Sequence, residues 1–179
     1  ELFHIDGIRL DVAYSLDENF CRELRSFTDS LKSGLSENEP PVMIGEVLFG
    51  DYRRLVNAQM LYSCTNYECY KGLYSSINDV NMFELDYSLN RQYGANGAMY
   101  KGMNLLTFAD NHDVSRLTSI LKNENMAVAA YTLLFMMPGT PCIYYGSEWG
   151  IRGKKENGDA GLRPQILSPE ENALTLLIS

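Results

Sequence analysis

The sequence predicts an α/β fold built on a parallel sheet, and three observations predict it. Short strand-like runs alternate about five times with stretches at helical spacing. The intervals between those runs are long enough for helical crossovers, which join parallel strands. Acidic side chains fall at or just past the C-terminal ends of the strands, the rim where (β/α) barrels and doubly wound sheets alike build their sites. No linker or low-complexity tract interrupts the 179 residues. One domain over residues 1–179, without a second, is therefore expected.

Gly7-Ile8-Arg9-Leu10-Asp11-Val12-Ala13 alternates with a period of two, the mark of a strand. Ile8, Leu10 and Val12 make one apolar face, and Arg9 and Asp11 share the other. That charged face suits a solvated edge strand or a strand opening into a barrel mouth. Asp17-Glu18-Asn19 signals a helix start, and Phe20, Leu24, Phe27 and Leu31 form an apolar stripe that Gly34 ends. Beyond Pro40-Pro41, Val42-Met43-Ile44-Gly45-Glu46-Val47 reads as a strand buried on both faces and ending on a carboxylate. A short helix is expected from Tyr52 to Asn57, and a strand from Ser63 to Asn66. Helices follow over Cys69–Ile77 and over Met82–Tyr93, the second closed by Gly94. Leu105-Leu106-Thr107-Phe108 is a strand running into Asp110-Asn111-His112-Asp113. A buried helix spans Met126 to Met137 and stops at Pro138-Gly139. An apolar strand runs from Pro141 to Tyr145, and a polar, glycine-rich loop from Gly146 to Arg163. Pro169, with Glu170 and Glu171, opens a last helix.

Composition narrows the function. The chain is 45% hydrophobic and 21% charged, with a net charge of −8. With no basic run, nucleic acid and anionic membranes are excluded as expected partners. The longest apolar run, Ala127 to Met137, is too short to span a bilayer. No G-x-G-x-x-G or Walker A pattern is present, which counts against nucleotide binding. Cys21, Cys64, Cys69 and Cys142 form no C-x-x-C pair, and only His4 and His112 could join them, so no zinc site is expected. Buried thiols favour a reducing, cytoplasmic setting.

Asp11, Glu46 and Asp113 are three acids on three strand ends. Glycoside hydrolysis requires two, one as nucleophile or base and one as acid, around an oxocarbenium-like transition state. Arg9, on the same strand face, favours the ionised form of Asp11. Met43, Ile44, Val47, Leu48 and Phe49 surround Glu46 in sequence. If they desolvate it, they favour the protonated form a general acid needs. A divalent metal is the competing use of three acids. Trp149 suits sugar stacking or loop packing, and Glu148 and Arg163 are further candidates for the rim. Tyr67, Tyr70 and Tyr74 suit a helix face packed on the sheet better than a sugar platform. Arg116 suits either orientation of a carboxylate or a structural ion pair.

Gly7-Ile8-Arg9-Leu10-Asp11, Gly45-Glu46 and Phe108-Ala109-Asp110-Asn111-His112-Asp113, followed by Tyr144-Tyr145-Gly146-Ser147-Glu148, resemble in order and spacing the signature regions of the α-amylase superfamily of glycoside hydrolases. The likeness covers essentially the whole chain and leans towards bacterial amylases and the neopullulanase or cyclomaltodextrinase group. It implies a partial TIM (β/α)8 barrel, roughly strands four to eight with their helices. It also implies a retaining double displacement on α-glucans such as starch, maltodextrin or cyclodextrin. Asp11 would be the nucleophile, Glu46 the general acid and then base, and Asp113 the residue that stabilises the transition state. Arg9 would hold Asp11, and His112 would donate to the bound glucosyl ring. No cofactor is implied within these residues, while calcium stays open for a full-length protein.

The third-strand Asp and Asn-His pair of that family has no match here. Leu48 stands where many members carry an aromatic residue, and Tyr14-Ser15 replaces the Asn-Glu or Lys-His often found after the nucleophile. Product specificity is therefore open. A complete barrel takes ~250 residues, so the chain is expected to be a catalytic-region fragment with roughly five of eight strand–helix units. Such a fragment would fold as an open sheet or pair its exposed edges with another copy, with low or no activity alone. Two rival readings keep the same residues: a transglycosylase such as a branching enzyme or glucanotransferase, and a catalytically inactive amylase-like binding subunit.

Overall fold

The computed structural model describes residues 5–31, 39–169 and 171–178. His4, Gly34 and Glu170, which entered the reading above, lie outside them. The chain divides into two compact units. The first comprises Glu1–Tyr67 and Gly102–Leu106, the second Glu68–Lys101 and Thr107–Ser179.

The first unit is a parallel sheet of β1 (Gly7–Leu10), β2 (Val42–Gly45) and β3 (Ser63–Cys64), in that spatial order. Leu10 pairs with Gly45, and Gly45 with Cys64, so the C-terminal ends of the strands lie level. An isolated parallel bridge between Thr65 and Leu106 extends the sheet. β1 stops sooner than its alternation predicts. Val12 turns to φ +48°, a left-handed conformation that a β-branched residue adopts only under constraint. A single 3-10 turn, Ala13–Ser15, follows. Val12 therefore does not extend the apolar face of Ile8 and Leu10.

The crossover helix α1 (Glu18–Asp29) begins where predicted, with the Asp17 carboxylate accepting from the Phe20 amide at 2.9 Å. Its orientation differs from the expected one. Phe20 and Phe27 are 49% and 60% exposed, whereas Cys21 and Thr28 are buried. The inward face makes specific contacts. Thr28 Oγ1 lies 3.2 Å from Met43 Sδ, and the Arg25 guanidinium sits 3.7 Å over the Tyr62 ring while donating to the Met60 carbonyl. Past β2, the expected helix from Tyr52 shrinks to a 3-10 turn, Tyr52–Arg54, because Val56 is drawn into a parallel bridge with Leu61.

The second unit contains α2 (Tyr67–Asn78, from its second residue onward), α3 (Phe83–Tyr93), most of β4 (Leu106–Phe108), α4 (Leu117–Ile120), α5 (Ala127–Met136), β5 (Thr140–Cys142) and α6 (Ala173–Ile178). β4 pairs with β5, and Thr107 Oγ1 donates to the Thr140 carbonyl. The core joins Leu73, Ile77, Leu85, Leu117, Ala130 and Leu134 from four helices. Gly72 lets α2 approach α3 closely, since a Cβ there would stand 3.2 Å from Leu85 Cα. Tyr70 stacks on Phe108 with ring centroids 5.2 Å apart, which places this tyrosine in helix-on-strand packing. α5 is only half-buried: Phe135 and Met136 face outward while Ala130, Tyr131 and Leu134 face inward. α6 starts at Ala173 rather than near Pro169, because the Asn172 side chain caps the amides of Leu174 and Thr175. No described helix is long and apolar enough to cross a membrane.

Candidate active site

β1 and β2 end level, so the residues just beyond them are neighbours. Asp11 follows β1 directly and Glu46 follows β2. The Glu46 amide donates to the Leu10 carbonyl at 2.9 Å, carrying the ladder one step past the strands. The Arg9 guanidinium then joins both acids. Its Nη1 contacts Asp11 Oδ1, and its Nη2 lies 3.3 Å from Glu46 Oε1. The two carboxylates are unlike in surroundings: the Asp11 side chain is 70% exposed, that of Glu46 only 7%. Glu46 Oε2 accepts from the Val12 amide at 2.9 Å, so the strained turn after Asp11 closes onto the acid of the next strand. Of the apolar neighbours read from the sequence, Leu48 and Phe49 are themselves 37% and 68% exposed, so they do not enclose Glu46. The contacts its carboxylate makes are the Val12 amide and the Arg9 guanidinium.

Within the second unit, Asp113 follows β4 through a tight turn in which its own amide donates to Asn111 Oδ1. His112 Nε2 lies 2.9 Å from Asp113 Oδ2. Arg163 Nη2 donates to Asp113 Oδ1 at 3.1 Å, and its Nε reaches the His112 carbonyl. Arg163, read from the sequence as a loop candidate, is therefore a direct partner of Asp113. Lys155 stands beside it, 3.9 Å from Asp113 Oδ1 and 2.7 Å from Asp159 Oδ1. The hydrogen bond from Lys155 holds the Asp159 carboxyl below the usual carboxylate range. Sequence reasoning missed Lys155 and Asp159. The available signal was their spacing with Arg163: each is four residues from the next, the interval that places charges side by side on a helical turn.

Behind this cluster lies a buried polar layer. Asp110 is 3% exposed, accepts from Ser147 Oγ at 2.7 Å and from the Leu117 amide at 2.8 Å. Burial pushes its carboxyl above the usual range, against the pull of those bonds and of Arg116. Arg116 is fully buried and donates to the Tyr145 and Leu162 carbonyls and to Ser147 Oγ. Its partners are two carbonyls and a hydroxyl rather than a carboxylate. Trp149 and Glu148 lie in the 3-10 turn Ser147–Trp149. Their carbonyls accept from Asn172 and from Thr175, on the C-terminal segment. Trp149 lines a hollow of about 310 Å³ with Ile151, Ile166 and Pro169. Cys64 is buried and its thiol is pushed up to about 12 by desolvation, so it is inert near neutral pH. Among the described residues, no group of three or more His, Cys, Asp or Glu side chains is placed to hold a metal ion.

A family model described as the catalytic domain of alpha-amylase matches residues 2–174. The chain belongs to the α-amylase catalytic-domain family. It is 27% identical over 157 residues to an intracellular maltogenic amylase of Bacillus subtilis strain 168, covering 86% of this chain and 25% of that protein. It is 32% identical over 157 residues to neopullulanase 2 of Thermoactinomyces vulgaris, covering 83% of this chain and 25% of that protein. Among solved structures, the ligand-free cyclic α-maltosyl-(1→6)-maltose hydrolase of Arthrobacter globiformis superposes with a TM-score of 0.74 at 26% identity. That match covers 97% of this α-amylase-family chain and 38% of the other. The chain thus spans about a quarter of the length of the two curated relatives. The family's catalytic domain is a TIM barrel, and the parallel β1–β3 sheet with its helical crossover is the corresponding α/β construction.

Proposed function

We propose that this chain supplies the catalytic region of a longer retaining α-glycoside hydrolase acting on α-glucans such as maltodextrin, starch or cyclodextrin. The observation that carries the reading is the Arg9 guanidinium spanning Asp11 and Glu46 at the level ends of two adjacent parallel strands. One cation touching both acids places them as neighbours on one strand-end rim, as two carboxylates that work on the same glycosidic bond require. Exposed Asp11 is the nucleophile: it attacks the anomeric carbon and forms a glycosyl ester. Glu46 protonates the departing glycosidic oxygen, then takes a proton from the water that cleaves the ester. Asp113 grips sugar hydroxyls as the ring flattens, and His112 donates to the same sugar. In barrel terms β1 to β5 correspond to roughly the fourth to eighth strands. The names of the relatives, all of them amylases, neopullulanases or hydrolases of maltosyl sugars, support the substrate class. A cytoplasmic setting fits the relative named as intracellular.

Product stereochemistry tests the reading. The full-length protein, mixed with maltoheptaose and followed by proton NMR, should release the α-anomer first, before mutarotation. Initial β-anomer would contradict a double displacement, and absence of any cleavage would contradict the hydrolase reading itself.

A further inference from the structure

We propose that Arg116 is a positioning residue, which holds the 144–163 segment so that Arg163 reaches Asp113. The inference rests on the reading of Asp113 as the third carboxylate. Arg116 lies three residues beyond Asp113, at the N-terminal boundary of α4, and is 0% exposed. A guanidinium in such a place needs acceptors, and here its two terminal nitrogens find them along a single segment, while Nε has none among the described residues. Nη1 donates to the Tyr145 carbonyl at 2.8 Å and to Ser147 Oγ at 3.1 Å, and Nη2 donates to the Leu162 carbonyl at 2.7 Å. The planar fork thus ties together two points of the segment 17 residues apart, from Tyr145 to Leu162. Its backbone joins in, the Arg116 amide donating to the Gly153 carbonyl at 2.8 Å.

Leu162 is adjacent to Arg163, so fixing its carbonyl fixes the origin of the side chain that reaches Asp113 Oδ1. A second link runs on the other side. Ser147 Oγ, which accepts from Arg116, donates to Asp110 Oδ1, and Asp110 Oδ2 accepts from the Leu117 amide. Both ends of the turn that carries His112 and Asp113 are therefore pinned to the same guanidinium. Arg116 also lies 4.1 Å from the Tyr144 ring centroid, on the residue whose ring is tilted toward His112 at 6.2 Å. None of these contacts touches a substrate. Arg116 acts through Arg163, Tyr144 and the 110–113 turn.

The test compares Arg116→Met and Ser147→Ala with the wild type in the full-length protein, by hydrogen exchange and by steady-state kinetics. Arg116→Met should accelerate amide exchange across residues 152–163 by about tenfold or more, while α5, in the same unit, keeps its protection. Its kcat on maltoheptaose should fall by about tenfold to a hundredfold from the displaced carboxylate, with KM changed less. Ser147→Ala, which removes one hydroxyl and leaves the guanidinium, should show the same pattern more weakly, and covers the case in which Arg116→Met fails to fold. Exchange in 152–163 equal to wild type would overturn the inference. So would loosening spread evenly over α5 and the segment, which would mean ordinary destabilisation. If the wild type cleaves no glucan, the functional reading fails, while the exchange comparison still decides whether Arg116 holds the segment.

Discussion

At the scale of single residues, the site depends on which groups surround each acid. Asp11 lies two positions beyond Arg9, just past the end of β1, and the two side chains still meet. Their partnership with Glu46 was only half legible. The apolar run ending at Glu46 announced burial, but the Val12 amide that caps Glu46 exists because Val12 turns to positive φ. A β-branched side chain gives no local signal of that turn. Asp110 poses the sharpest test at this scale. Burial raises its carboxyl above the value of about 3.9 expected when unfolded. The folded state therefore holds that proton more tightly than the unfolded one. The contribution to stability is fullest below the unfolded value and is lost as pH rises through the raised folded value. Asp110→Ala should accordingly cost more stability at pH 4 than at pH 7, in urea titrations at both values. A cost that grew with pH would show that the ionised form is the one the fold prefers.

At the scale of elements, period and punctuation located the helices and strands, while tertiary contacts decided their facing and length. α1 starts at the predicted cap, yet its stripe of Phe20 and Phe27 points outward, because Thr28 and Arg25 find better partners in Met43, Tyr62 and Met60. Helical spacing reports that a stripe exists and is silent on which neighbour is present to receive it. Asn172 sets the start of α6 later than Pro169, since its side chain accepts from the Leu174 and Thr175 amides. The strand before Glu46 has its own device. A Cβ on Gly45 would stand 2.3 Å from Leu61 Cδ1 and 2.9 Å from Ala13 Cβ. Gly45→Ala should therefore destabilise the protein by about 1–3 kcal/mol through overpacking. Urea unfolding measures this, and a neutral result would mean that Leu61 and Ala13 yield freely.

At the scale of the whole molecule, the chain covers about a quarter of the length of the curated relatives named above. β1 lies at the edge of its sheet, and the exposed aromatic stripe of α1 follows it in the chain. An open strand edge and a bare apolar stripe are costly in water. The order of the acidic motifs was fully legible in the sequence, and the assignment to the α-amylase family follows it. Covalent trapping reads directly what the acids do together. The full-length protein is incubated with a fluorinated α-glucosyl fluoride, which lets a retaining enzyme form its glycosyl ester but slows the hydrolysis of that ester, and is then peptide-mapped by mass. One added glycosyl group is expected, on the peptide that contains Asp11. A label on Glu46 or Asp113 instead, or no label on folded protein, would contradict it.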